Sequence, residues 1–319
     1  MAVAVLALLG RTLISNYLDP EIGQDVATLK TKFAWSERMT GEHGNKVVFC
    51  GGSSCAHSIM SMRLLEQHNM PAVNMGMYAQ LGTLMLTRCT LAQLHRGDTL
   101  IIAVEPPLLV QHDKTYSTAC RLSFAAGHPE WPYMPWNEPY FPYFTTFLKS
   151  NIGLTRLSGI ANYHFQKDIL RRPVEKQLEA TVDASGWATA PERKQIVELP
   201  PYESGISPEH AALLLWIRQW GDRNGIRVAY SLPWAYRSPA NVKSLQKTNL
   251  SILLEINKIL PVLKDQRMGA HPRVEDFSDT YYHLIPEAAA KRTDELARQI
   301  QAWDIWNPGE LEAWGNANL

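Results

Sequence analysis

The sequence predicts a mixed α/β protein, namely a three-layer α/β/α domain with a parallel sheet and a long insertion. Three short apolar runs, at 46–50, 71–75 and 99–104, alternate with helix-like segments at about 56–68 and 77–95. Strands and helices that alternate at this spacing are typical of a parallel sheet covered by helices. The alternation resumes in the last third of the chain, with a strand at 226–232 between helical patterns at 207–223, 241–260 and 286–303.

The interruption at about 108–205 is predicted to be an insertion. Between 128 and 147, prolines and aromatic residues interleave, and a regular central strand or helix is not expected there because proline lacks a donor N–H. A later stretch, about 182–204, is polar and is predicted to be a loop. The aromatic rings suggest either stacking on sugar rings or a packed, proline-stiffened lid. The candidate stacking residues are Trp131, Trp136 and Tyr140.

Residues 1–45 are predicted to be an N-terminal apolar segment and lead-in, with the main domain at 46–319. The run from Ala2 to Leu9 is uninterruptedly apolar, but a bilayer span needs about 20 such residues. Its length suits the core of a signal peptide. One interpretation is the remnant of an export signal or anchor, which predicts a periplasmic or extracytoplasmic domain tethered at this end. The alternative is the apolar start of an ordinary helix.

Charge and cysteine spacing exclude several classes of function. Lys and Arg together number 31, as do Asp and Glu, and no basic stripe stands out, so nucleic acid is not an expected partner. The four cysteines, at 50, 55, 89 and 120, contain no CxxC pair, so neither a zinc knuckle nor a thioredoxin-type motif is supported. We expect buried free thiols, although two disulfides would be compatible with an oxidising compartment. No metal and no cofactor are expected.

Three candidate site blocks follow predicted strands, at the edge where open α/β sheets bind ligands. Ser53 follows Gly51-Gly52 at a strand-to-helix turn, where it is either a nucleophile or a helix cap. After the second strand, Gly76 could present its N–H to an oxyanion with support from Asn74, or could serve only the flexibility of a loop. Glu105 ends the third strand and is either a carboxylate that positions a substrate or a basic side chain, or a solvated charge.

The fourth block, FSDTYYHLIPE, places Asp279 and His283 just before a helix that begins at Pro286. A carboxylate next to an imidazole can select its tautomer and stabilise its charged form, as in serine hydrolases. A lone histidine is more often structural. An Asp/His pair near one end of the chain and a Gly-Gly-Ser turn near the other are together more specific than either motif alone.

The order of these blocks resembles that of the SGNH/GDSL hydrolase superfamily, whose sheet is flavodoxin-like, and especially its extracytoplasmic branch of polysaccharide O-acetylation and teichoic-acid D-alanylation proteins. The resemblance covers about 46–104 and 226–303. It implies that Ser53 is the nucleophile, His283 the base and Asp279 its orienting acid, with Gly76 at the oxyanion. Glu105 stands where the superfamily usually has an asparagine, and the Asp–His spacing is one residue longer than usual, which makes Asp276 a competitor for the orienting role.

The sequence therefore predicts a serine-dependent acyl-ester hydrolase or O-acyltransferase. The expected substrate is an acylated carbohydrate of the cell surface or a small acyl ester, with the N–H groups of Ser53 and Gly76 binding the oxyanion. A membrane anchor or a membrane acyltransferase would be the partner. The alternative is a catalytically inactive protein of the same fold that binds glycan or a membrane partner of an acylation system.

Overall fold

The computed structural model describes residue 10 and residues 14–112, 117–137, 140–150, 154–169, 182–189 and 192–319. The chain forms two compact units. Unit 1 comprises Met1–Lys30 and Lys114–Ala180, and unit 2 comprises Thr31–Asp113 and Thr181–Leu319. Unit 1 thus combines part of the predicted lead-in with the middle of the predicted insertion, whereas unit 2 contains all the predicted strands.

The helices and strands follow one another from a long first helix to a short last one. In chain order they are α1 (Pro20–His43), β1 (Val47–Cys50), α2 (Ser53–Ser58), α3 (Ser61–His68), β2 (Ala72–Asn74), α4 (Gly82–Leu91), β3 (Thr99–Ile102), α5 (Pro106–Val110), α6 (Ser117–Ala125), α7 (Pro142–Lys149), α8 (Leu154–His164), α9 (Pro208–Asn224), β4 (Arg227–Tyr230), β5 (Ala235–Tyr236), α10 (Val242–Asn257), β6 (Ala270–His271), α11 (Pro286–Ala302) and α12 (Pro308–Asn318). Two π-helical turns, Ile14–Leu18 and Phe165–Ile169, belong to unit 1, and single 3-10 turns lie at Ala79–Leu81 and Val274–Asp276.

The main sheet is parallel, with strand order β2-β1-β3-β4. From β1 the chain moves to one neighbour, β2, and then crosses back to the other, β3. The carboxyl ends of β1 and β3 therefore border a topological switch point, which is where open α/β sheets bind their ligands. A second sheet of two short parallel strands, β5 and β6, lies in the same unit.

Alternating side chains of the strands pack on the two faces of this sheet. Val47, Phe49 and Ile101 join a buried cluster with residues of α2, α3 and α11. Cys50, which points to the opposite face, donates its thiol to the Leu86 carbonyl of α4. The predicted three-layer α/β/α class is therefore confirmed: helices cover a buried parallel sheet on both faces.

Local signals explain several element boundaries. The Ser207 side chain caps α9 by accepting from the His210 N–H, Pro208 occupies the first turn, and Gly225 ends the helix in the left-handed region with φ 66°. The predicted helix at 56–68 is instead two helices, because Ile59 and Met60 are extended. All four cysteines are buried free thiols.

One expectation about helices is wrong, and some helices have no counterpart among the predictions. The segment 128–147 was expected to hold no regular helix, yet α7 begins inside it at Pro142. Proline is tolerated there because an N–H in the first turn of a helix has no intrahelical partner. The long helix α1 was not predicted at all, and neither was α12, which begins with a capping box between Asn307 and Glu310.

Candidate functional site

Ser53 is the first residue of α2. It lies two residues beyond Gly51, which directly follows β1. Ser53 is partly exposed. Ser54 is fully buried, and the Ser54 hydroxyl has no hydrogen-bond partner. Of the two adjacent serines, only Ser53 can therefore present its hydroxyl to a substrate. The position agrees with the predicted strand-to-helix turn at the carboxyl edge of the sheet.

Glu105 holds this turn in place. It follows β3, is 3% exposed, and accepts hydrogen bonds from the N–H groups of Gly52 (3.2 Å) and Ser54 (2.9 Å). A carboxylate at this position satisfies two donors that the start of a helix leaves unpaired. A Cβ atom on Gly52 would lie 2.4 Å from a Glu105 carboxylate oxygen, so the glycine is required by the close approach. The predicted roles, positioning of a substrate or a basic side chain and a solvated charge, are corrected: Glu105 is buried, and its carboxylate accepts from backbone N–H groups of the Ser53 turn.

Asp279 and His283 are directly paired. The Nδ1 of His283 lies 2.8 Å from Oδ1 of Asp279, and the two side chains are 13% and 14% exposed. The loop is held by the N–H of His283, which donates to the Thr280 hydroxyl, and by the N–H of Ser278, which donates to the His283 carbonyl. With Nδ1–H given to the carboxylate, Nε2 is the nitrogen whose lone pair can accept a proton.

Asp276, the competing acid, belongs to a different pair. Its Oδ2 lies 2.7 Å from Nε2 of His271, at the end of β6. Both side chains are buried, and the His271 ring is stacked on Trp234 with centroids 4.7 Å apart. The structure thus separates two Asp–His pairs that are only a few residues apart in sequence. Sequence reasoning missed the second pair because nothing in the spacing of His271 and Asp276 marks it.

His57 is a second histidine at the site that sequence reasoning missed. Its ring lies 4.2 Å from that of His283 between centroids, tilted by 41°, and its Nδ1–H donates to the Ala188 carbonyl at 2.8 Å. Burial, and then the neighbouring His283, lower the pKa of His57 from 6.5 to about 4, so its ring is neutral near pH 7. The signal that could have found it is the spacing of four from Ser53, since residues i and i+4 lie on one helix face.

Contact with His57 brings His283 to the face of α2 that carries Ser53. Among the described residues, no hydrogen bond joins Ser53 to His283. Hydrogen bonds of catalytic groups are often long without substrate and shorten when it binds. The arrangement therefore places a partly exposed hydroxyl and an oriented imidazole at the same end of the sheet.

Gly76 and Asn74 are both buried behind α2 and bonded to each other. The N–H of Gly76 donates to Oδ1 of Asn74 at 2.8 Å, and the Asn74 amide donates to the carbonyls of Cys55 (2.9 Å) and Ile59 (2.7 Å). A Cβ on Gly76 would lie 2.4 Å from the backbone nitrogen of Ala56. The predicted oxyanion role of Gly76 is corrected, because its N–H already donates to the Asn74 side chain, whose amide group in turn bonds α2. Of the two N–H groups predicted to bind the oxyanion, that of Ser53 remains a candidate.

A buried lysine supports the same loop from α1. Lys32 is 1% exposed, and its ammonium donates to the carbonyls of Asn74 (2.7 Å) and Gly186. Burial lowers the pKa of Lys32 from 10.5 to about 8. No sequence signal distinguishes this lysine from the exposed Lys30 of the same helix.

The three predicted stacking residues of unit 1 differ in exposure. Trp131 is 3% exposed and is stacked face to face on His128, with centroids 4.2 Å apart. Its predicted glycan contact is corrected, because the ring is not accessible. Trp136 and Tyr140 are exposed, at 49% and 92%.

Within the described residues, no group of three or more His, Cys, Asp or Glu side chains could hold a metal ion. None of the described helices combines the length and the apolar character that crossing a bilayer requires. The run from Ala2 to Leu9, on which the predicted anchor depends, lies outside the described residues. No protein-family model, curated protein or solved structure matches this chain.

Proposed function

We propose that this protein is a serine-dependent acyl-ester hydrolase or O-acyltransferase whose substrate is an acylated carbohydrate of the cell surface. The observation that carries the proposal is the Asp279–His283 pair, 2.8 Å apart, with the His283 ring in tilted contact with His57, one helical turn from Ser53. The partial exposure of Ser53, next to a fully buried Ser54, supports it as the nucleophile.

In the proposed reaction the Ser53 hydroxyl oxygen attacks the acyl carbonyl carbon while Nε2 of His283 takes the hydroxyl proton. The tetrahedral oxyanion is bound by the Ser53 N–H. Collapse of this intermediate breaks the ester bond, and His283 returns its proton to the departing alcohol oxygen. Asp279 holds the imidazole in the required tautomer and stabilises its charged form.

The acyl group, now esterified to Ser53, is then transferred to a second hydroxyl group. Water as acceptor releases a carboxylic acid, and a sugar hydroxyl as acceptor yields a new carbohydrate ester.

We propose an extracytoplasmic location, periplasmic or cell-surface, with the segment 2–9 as the tether and a membrane acyltransferase as partner. An alkaline phosphatase fusion after residue 45 tests the location: it should be active, and an inactive fusion beside an active cytoplasmic reporter would refute it.

A fluorophosphonate probe tests the nucleophile. The purified protein should be labelled on Ser53 and should hydrolyse p-nitrophenyl acetate. Ser53→Ala should lose both activities, and Ser54→Ala, the matched control, should keep labelling and retain turnover within severalfold. Circular dichroism should show both variants folded. Labelling that persists in Ser53→Ala, or equal loss in both variants, would contradict the assignment.

A catalytically inactive protein that binds glycan or a membrane partner is the second candidate. The occupied N–H of Gly76 favours it, because removal of one oxyanion donor typically lowers kcat by about 100- to 1000-fold. Absence of any probe labelling and of ester turnover in the wild-type protein, with binding to an acylated polysaccharide retained, would select this candidate.

A further inference from the structure

Within the described part of the chain, strongly exposed aromatic side chains are confined to unit 1. Of the residues that the structure describes, six aromatic residues are strongly exposed, and all six belong to this unit, although unit 2 has many more described residues. We call them the exposed aromatic set: Tyr17, Trp136, Tyr140, Phe141, Phe144 and Phe165. Unit 1 also exposes Leu18 and Ile169, whereas the large apolar residues exposed in unit 2 are all aliphatic. Such a concentration of exposed rings marks an interaction site.

The elements that bear this set are in contact with one another. The π-helical turn with Tyr17 packs on α6 and α8, and α6 packs on α7, which carries Phe144. The Tyr17 ring meets the Phe124 ring of α6 edge to face, with centroids 6.2 Å apart. Tyr17 and Phe144 are therefore attached to one packed group of helices, and Phe141 is the N-cap residue of α7.

The chemistry of the set fits a lipid surface better than a glycan. Trp and Tyr carry a polar N–H or O–H that can bond a sugar hydroxyl, whereas phenylalanine and aliphatic side chains such as Leu18 and Ile169 have no polar group. A mixture of Trp and Tyr with purely apolar residues is typical of proteins that insert into the boundary between headgroups and acyl chains.

Cationic side chains lie on the same elements. Lys149 ends α7, with its ammonium 4.8 Å from the centre of the Tyr133 ring, and Lys167 lies 5.6 Å from that of Tyr163. His164 donates to the Leu18 carbonyl, and this bond, together with that to the Asp168 carboxylate, raises its pKa. Basic groups beside apolar rings favour anionic headgroups.

The sequence contains a further apolar stretch that precedes Tyr17 in the chain. The run from Ala2 to Leu9 ends a few residues before Tyr17 and is too short to cross a bilayer, which takes about 20 residues. A short apolar run of this kind can lie in the interface together with exposed rings.

We propose that unit 1 docks on the surface of an anionic lipid bilayer through the exposed aromatic set. The rings enter the boundary between headgroups and acyl chains, and the basic side chains face the lipid phosphates. This proposal does not depend on the chemistry at Ser53.

Vesicle flotation of the full-length protein tests it, with vesicles of phosphatidylcholine alone or mixed with one quarter phosphatidylglycerol. We expect binding to the mixed vesicles and weaker binding to the neutral ones. The triple variant Tyr140→Ser, Phe141→Ser, Phe144→Ser should bind at least tenfold more weakly, because burying each ring contributes substantially to transfer from water. The control Val197→Ser, Leu215→Ser, which changes two exposed residues of unit 2, should stay within twofold of wild type.

Four outcomes would overturn the proposal. The first is no flotation of the wild type with either vesicle. The second is unchanged binding of the triple variant while Leu6→Asp, Leu8→Asp abolishes it, which would assign membrane binding to the N-terminal run alone. The third is a wild-type dimer, measured by light scattering, that becomes a monomer in the triple variant without vesicle binding. A polysaccharide interaction lost in the triple variant, again without vesicle binding, would assign the rings to glycan instead.

Discussion

Replacing Glu105 by glutamine should destabilise the protein far more than the loss of one surface charge. Its two carboxylate oxygens accept from the N–H groups of Gly52 and Ser54, and the residue is 3% exposed. A glutamine keeps one acceptor oxygen but turns its NH2 group toward the second N–H. One charge-assisted hydrogen bond is lost, and one buried donor is left without a partner.

The expected cost is about 2 to 4 kcal/mol, since hydrogen bonds to charged groups contribute about 1.5 to 3 kcal/mol and an unsatisfied buried donor costs a similar amount. Thermal unfolding should show the melting temperature lowered by roughly 4 to 10 °C for a chain of this size. If Ser53 is the nucleophile, probe labelling should also slow, because the turn that carries it loses its support.

Glu287→Gln is the matched control, because Glu287 lies in the first turn of α11 and is exposed. The same change of charge there should alter stability by less than about 0.5 kcal/mol. Equal melting temperatures for Glu105→Gln and Glu287→Gln would refute the structural role of Glu105.

Three further predictions concern the surroundings of the site. Asp279→Asn should lower ester turnover by orders of magnitude while Asp276→Asn keeps it and lowers thermal stability instead; the reverse result would exchange their roles. Because the pKa of His57 is about 4 in the folded protein and near 6.5 in the unfolded chain, the unfolded chain takes up this proton first as the pH falls. The free energy of unfolding should therefore decrease between pH 6.5 and 4 by up to roughly 3 kcal/mol. Denaturant titrations should show that the free energy of unfolding of His57→Phe depends less on pH in that window. The same pH dependence in wild type and variant would contradict the lowered pKa of His57. Gly76→Ala should lower the free energy of unfolding, measured by chemical denaturation, by about 1 to 3 kcal/mol, because the new Cβ meets backbone atoms. Gly23→Ala in α1, where nothing lies within 4 Å, should leave it unchanged or raise it. Similar effects of both variants would show that the close approach at Gly76 is unimportant.

Several elements could be predicted because their signals are local. The apolar runs before Gly51 and Glu105 lie on buried parallel strands, and Gly225 ends a helix where a left-handed conformation is needed. The helix α7 was missed because proline was treated only as a breaker, although at Pro142 it begins a helix.

The roles of individual groups at the site were harder to predict than their positions. The sequence correctly indicated that Glu105 and Gly76 follow strands, but both were given contacts with substrate. The partners of Glu105, the N–H groups of the Ser53 turn, are 51 and 53 residues away in the chain, whereas the partner of Gly76 is the buried side chain of Asn74, two residues earlier. Residue type and spacing contain no information about which donor is already satisfied.

The sequence by itself determined the α/β/α class, the position of Ser53 after the first strand, and the sharing of one loop by Asp279 and His283, because periodicity and turn chemistry act over a few residues. Only the tertiary structure decided which aspartate pairs with which histidine, that His57 lies against His283, and that Lys32 is buried beneath the loop after β2. The Asp–His pairs are local in sequence, but Lys32 and Asn74 are separated by 42 residues, and His57 and His283 by far more. These contacts arise from how helices and loops pack over the sheet, and no local pattern specifies that packing.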